Sequence, residues 1–236
     1  MLLLALAIAP GIAISLFIFS LNRYGRGRIG SLLISFVLGM IGTIPPFLIQ
    51  MKAGDVRNAP FGHGVLSYAW FAFIIVALTE EGSKFLLVRF YAYTRKTFHQ
   101  PFDGIIYAVM IGMGFATVEN IEYIRQFGLE TGVARFFLSV PAHASFAVLM
   151  GYNAGLAKSG QGRKGWLMAR SLLIPVLLHG SYDFFLFLQQ NHSVTRYVSA
   201  GLLSFGAFTT FYIAIRLALR AIRMYAEEDE MEDPVE

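Results

Sequence analysis

The chain contains no cysteine. That excludes disulfides, a thiol nucleophile and thiolate metal sites, so any metal would have to be held by His, Asp or Glu. Charge is also scarce. Only 14% of the 236 residues are charged, against about 25% in soluble domains. What fills the gap is apolar: 56% of residues are hydrophobic and 15% aromatic, with a mean hydropathy of +0.58. A water-soluble protein of this size would leave much of that surface wet, so the composition points to the bilayer as solvent. The formal net charge of +4 is not a nucleic-acid footprint, because the basic residues sit in short stretches between apolar runs.

A membrane-spanning helix needs about 20 mostly apolar residues. About seven such segments are present: Leu2–Leu21, Ile29–Gln50, Gly64–Phe90, Gly104–Ile124, Val133–Ala157, Trp166–Gln189 and Val194–Met224. The first is read as a span, not a signal peptide, since arginines follow it and no small-residue cleavage site is present. Basic residues alternate from loop to loop. One side carries Arg23, Arg26, Arg28, Arg89, Arg95, Lys96, Lys158, Arg163, Lys164, Arg170, Arg216, Arg220 and Arg223. The other carries only Lys52, Arg57, Arg125, Arg135 and Arg196. The positive-inside bias then predicts an all-α polytopic bundle with the N-terminus outside and the C-terminus cytoplasmic. Residues 1–226 read as one transmembrane domain, and Glu227–Glu236 as an acidic, disordered cytoplasmic tail.

Charged side chains in hydrocarbon are costly and mark function. Glu80, Glu81 and Lys84 lie in Thr79-Glu80-Glu81-Gly82-Ser83-Lys84, flanked by apolar residues on both sides. One carboxylate would serve a structural ion pair with Lys84. Two adjacent ones suit a general base and a proton store. Glu119 and Asn120 follow the small-residue stretch Gly112-Met113-Gly114, with Glu119 towards the outer end of its span. His143 follows Pro141, which is expected to disturb the helix locally. His179 and Asp183 are spaced i, i+4 and share a helix face, so Asp183 can orient the imidazole. Gly151 and Gly155 read as a packing pair. His63, His99 and His192 fall in loops and receive no role.

These groups lie on four consecutive spans, and neighbouring spans tend to be adjacent. A carboxylate with a histidine can activate water, and a second histidine can stabilise an oxyanion. Peptide hydrolysis is one reading of this kit. A proton relay in a transporter is another, as is a site that binds a lipid headgroup or a metal without catalysis.

The motifs Glu80-Glu81-Gly82-Ser83-Lys84, Phe102-Asp103-Gly104, Gly114-Phe115-Ala116-Thr117-Val118-Glu119-Asn120, Val140-Pro141-Ala142-His143 and His179-Gly180-Ser181-Tyr182-Asp183 occur in order. Over roughly Ala77 to Phe185 the chain thereby resembles the PrsW family of intramembrane proteases, distant relatives of the CAAX-prenyl and bacteriocin-processing proteases. The resemblance implies a plasma-membrane endopeptidase making the first cut in a single-pass membrane protein such as an anti-sigma factor. It implies that Glu80 and Glu81 activate water with help from His143, while His179 and Asp183 form the oxyanion site. Lys84, Glu119 and Asn120 support them. Two departures from the wider CAAX-type pattern stand out: Lys84, three residues after the second glutamate, replaces an arginine four after it, and Glu119 replaces a histidine. Glutamate-activated water without a cofactor is the preferred chemistry, since no HExxH spacing is present. Zinc on His143, His179 and Glu81 is the alternative.

Overall fold

In the computed structural model, residues 2–21, 29–56, 59–62 and 64–232 are described, with Leu2 and residues 225–232 as backbone alone. Arg23, Arg26, Arg28, Arg57 and His63, and the tail beyond residue 232, lie outside the described residues. The described chain is helical, with no strand: α1 (Leu2–Ser20), α2 (Ile29–Ile41), α3 (Ile44–Ala53), α4 (Val65–Trp70), a π-helical segment (Phe71–Ala77), α5 (Leu78–Phe90), a 3-10 turn (Ala92–Thr94), α6 (Pro101–Phe137), α7 (Ser139–Ser159), α8 (Lys164–Leu188), α9 (His192–Thr195) and α10 (Ala200–Glu232). Five described stretches are long and apolar enough to cross a membrane: Leu3–Ser20, Ile29–Ala53, Pro101–Phe137, Lys164–Leu188 and Ala200–Met224. The other two expected segments, Gly64–Phe90 and Val133–Ala157, are helical as well. The first is divided by its π segment, and the second begins only at Ser139, because the backbone breaks at Leu138 (φ −118°, ψ −64°). Pro141 therefore lies in the first turn of α7, where a missing N–H costs little, and does not kink a span. The acidic stretch after Ala226, read as disordered, continues α10 to Glu232, in keeping with its run of helix-favouring Glu and Met.

α6 is the centre of the bundle, with α1, α2 and α7 packed around it. Its start is fixed by a reciprocal cap between Gln100 and Asp103, with Pro101 in the first turn. Asp103 Oδ2 accepts from the backbone N–H of His99 and of Gln100, at 2.7 and 2.9 Å. The α6–α7 contact is close because it is lined with glycine. A Cβ on Gly104 would land on the carbonyl oxygen of Gly151, and a Cβ on Gly151 on that of Gly104. This is small-residue packing of the kind membrane bundles use.

The long α6 is really two helices. Gly128 has φ 81° and ψ −162°, a conformation open almost only to glycine. Without that break, residues 119 and 135 would be separated by about 24 Å along the axis at 1.5 Å per residue. With it, the chain folds back and Arg135 Nη2 reaches Glu119 Oε1 at 3.1 Å. Gly128→Ala is therefore expected to destabilise the bundle by roughly 1–3 kcal/mol, measured as unfolding free energy in mixed micelles. Gly30→Ala, where a Cβ meets nothing within 4 Å, should leave stability unchanged. Equal behaviour of the two variants would contradict this account of α6.

Candidate active site

The site is built around helix α5 and the π segment that precedes it. A π turn widens the helix by one residue and is common next to functional groups. Phe73, in this segment, packs where a Cβ on Gly180 would otherwise sit. The glycine after His179 thus lets α8 approach the π segment closely, and this brings His179 to Glu81.

Lys84 lies at the centre. Its ammonium donates to Glu81 Oε1 at 2.7 Å and to His143 Nδ1 at 3.0 Å. It also lies 3.9 Å from Glu80 Oε2 and 4.2 Å from the centre of the Phe115 ring. Glu81 Oε1 is shared with His179 Nδ1 at 2.9 Å, and His179 Nε2 is 3.2 Å from Asp183 Oδ2. His143 Nε2 is 2.8 Å from Glu119 Oε2. The two imidazoles stand edge to face, 5.2 Å apart, and Phe146 stacks on His179. Lys84 is 2% exposed and Glu81 0%. Charges so deep persist only when paired.

Every residue singled out in the sequence therefore falls in one connected network or at its edge. Glu119, expected near the outer end of its span, reaches His143 directly. Asn120 supports from behind: its side chain accepts from Arg135 Nε at 2.9 Å and donates to the Ala7 carbonyl at 3.1 Å, tying α6 to α1. Two members escaped the sequence reading. Arg135 looked like a loop charge, yet it is partly buried and paired with Glu119. Gln50, at the end of an apolar run, donates to Glu80 Oε1 at 3.0 Å. The pattern Gly128 followed by Arg135 was the available signal for the first. For the second there was none.

The donor set also fits a divalent cation. Glu80, His143 and His179 each offer a ligand atom, all within 4.8 Å of one another. Two histidines and one carboxylate are a donor set of catalytic zinc. Glu80 Oε2 is buried without a hydrogen-bond partner. Each imidazole has a carboxylate on its Nε2, Glu119 or Asp183, as is usual behind metal-bound histidine; the Nδ1 atoms are bonded to Lys84 and Glu81, which a cation there would have to displace. The carboxylate in this set is Glu80. Glu81, the one assigned from the sequence, spends its Oε1 on Lys84 and His179.

The sequence profile described as "PrsW family intramembrane metalloprotease" matches residues 27–219. The chain belongs to the PrsW family. Protease PrsW of Halalkalibacterium halodurans is 36% identical over 197 residues, covering 80% of this chain and 86% of that protein. Protease PrsW of Geobacillus kaustophilus is 34% identical over 186 residues, 78% and 79% of the two chains. Protease PrsW of Bacillus subtilis is 34% identical over 186 residues, 78% and 82%. No solved structure matches the chain. As a PrsW-family member it is an intramembrane peptidase and a multi-pass protein of the cell membrane, and the transport reading of the same residues is set aside.

The network predicts a test of Arg135. Arg135→Leu leaves the Glu119 carboxylate with His143 alone. The pair is partly buried, with side chains 12% and 17% exposed, so the expected loss lies between that of a surface and a buried ion pair, about 1–3 kcal/mol. Adding Glu119→Gln should recover part of that loss in the same unfolding measurement. No loss for Arg135→Leu would show that the pair does not stabilise the fold.

Proposed function

We propose that the chain hydrolyses a peptide bond of a single-pass membrane protein, an anti-sigma factor or a similarly anchored protein, using water activated by Glu80 and Glu81. The observation that carries this reading is that the vicinal glutamates Glu80 and Glu81 each keep one buried carboxylate oxygen, Oε2, without a hydrogen-bond partner, while Lys84 lies against both residues. Such an oxygen can accept a proton from water as its oxygen attacks the scissile carbonyl. Lys84 holds Glu81 in place and supplies positive charge beside it. His143, neutral in the arrangement that accepts from Lys84 and donates towards Glu119, aligns Lys84. His179, oriented by Asp183, lines a cavity of about 280 Å³ with His143 and Arg135; its two nitrogens are bonded to Glu81 and Asp183, so one of those bonds must yield for an N–H to meet the oxyanion. As the C–N bond breaks, the carboxyl that took the proton returns it to the leaving amine.

A second reading keeps the same residues. A divalent metal held by Glu80, His143 and His179 would act as Lewis acid and activate its bound water. The chain's own groups keep their parts under it: Glu81 as base, Glu119 and Asp183 as orienters. The alternating basic loops favour seven spans, with the N-terminus outside and the C-terminus cytoplasmic. Residues 1–226 then form the protease domain and 227–236 an acidic cytoplasmic tail.

The test is cleavage of a single-pass anti-sigma factor in detergent by wild type, Glu80→Gln, Glu81→Gln and His143→Ala, each with and without a strong chelator. Wild type should cut, and each variant should lose about 100-fold or more, the scale of a general base. Insensitivity to the chelator supports glutamate-activated water. Inhibition that zinc reverses supports the metal. Undiminished cleavage by Glu81→Gln with Glu80→Gln would contradict both.

A further inference from the structure

A second, larger cavity, of about 510 Å³, lies on the other side of Glu119, between α3 and α6. Its lining is mainly apolar, with Ile44, Phe47, Val118 and Phe127, but also takes in Glu122 and Gln126, and it reaches the buried Glu80. Ile44, Phe47 and Phe127 are all about half exposed or more, so the outer side of the cavity is open. It is larger than the 280 Å³ cavity at His179, which is lined by Arg135, Tyr182 and Asp183.

Gln50 reaches into this cleft from α3. Its side chain is a carboxamide, chemically a peptide group, and its N–H donates to Glu80 Oε1 at 3.0 Å. A polypeptide in extended form must find partners for its own N–H and C=O groups at membrane depth. The cleft offers carboxylate acceptors at one end and apolar walls for the side chains. Those carboxylates would repel the anionic headgroup of a lipid.

We propose that the α3–α6 cleft receives an unwound stretch of the membrane-spanning substrate, with a substrate backbone N–H taking the place on Glu80 that the Gln50 carboxamide holds. This rests on the peptidase reading above and adds the route of entry: from the side, between α3 and α6, and not through the cavity at His179 and Asp183. Gln50 is then a positioning residue that keeps Glu80 oriented until substrate displaces it.

The cleft can be tested apart from the chemistry. Benzoylphenylalanine is placed at Phe47 or Phe127 in the cleft, at Phe187 in the other cavity, or at Phe205 on the exposed face of α10. The protein in micelles is irradiated with a biotinylated peptide carrying one span of about 20 Leu and Ala residues, interrupted by a central Gly-Pro pair that unwinds it. Labelling at Phe47 and Phe127 is expected to exceed that at Phe205 by about tenfold, the ratio that a 1.4 kcal/mol preference produces. Gln50→Leu, by removing the internal competitor, should raise labelling at Phe47. Strongest labelling at Phe187, or equal labelling at all positions, overturns the cleft as the entry. No rise with Gln50→Leu overturns the stand-in role. Cleavage is scored separately on the anti-sigma factor of the preceding test: labelling at Phe47 with that protein left intact by wild type would reject the proposed substrate and chemistry and leave the cleft standing, whereas cleavage of it with labelling elsewhere would reject only the cleft.

Discussion

One buried ammonium organises this protein. Lys84 sits against Glu81 and His143 with almost no solvent contact, and a charge in that position is tolerable only if its partners are held to it. The set they belong to spans several helices. Glu81 is on the same helix as Lys84. His143 comes from α7, and through Glu81 the set extends to His179 on α8. Glu119 of α6 closes it from the far side of His143. The packing of four helices is thus constrained by one cation and the acceptors around it.

That constraint explains details of the fold that would otherwise look unrelated. Gly104 and Gly151 let α6 and α7 approach to backbone contact, and on the same two helices His143 pairs with Glu119. Gly180 admits Phe73, which brings His179 to Glu81. Gly128 reverses the chain so that Arg135 can cover Glu119. Gly104, Gly151 and Gly180 create room by lacking a side chain, whereas Gly128, where a Cβ would meet nothing within 4 Å, supplies a backbone conformation. The site draws on small residues for its geometry and on ionisable ones for its chemistry.

Much of this was legible in the sequence because the bilayer makes buried polarity rare. Glu80, Glu81, Lys84, His143, His179 and Asp183 each stood out against an apolar background, and their order matched one family. What was not legible depended on backbone path. Arg135 lies in a stretch with the look of a loop, and only the left-handed turn at Gly128 reveals that it points back at Glu119. Gln50 is an ordinary residue near a helix end until α3 is placed beside α5. The sequence also assigned the metal-type carboxylate to Glu81, because adjacent residues cannot be told apart by pattern. Adjacent residues on α5 point about 100° apart, and Glu81 bonds Lys84 and His179 while Glu80 accepts from Gln50. Segment ends shifted too: the break at Leu138 lies three residues before Pro141, which was read as disturbing a span and instead sits in the first turn of the next helix.

The central claim is that Lys84 and His143, on separate helices, act as one unit. A double-mutant cycle with Lys84→Met and His143→Phe, read as unfolding free energy in mixed micelles, tests it most directly. Side chains in one buried network couple by about 0.5–3 kcal/mol, whereas independent sites add to within about 0.5 kcal/mol. This account predicts a coupling of about 1 kcal/mol or more. Simple additivity of the two substitutions would contradict it.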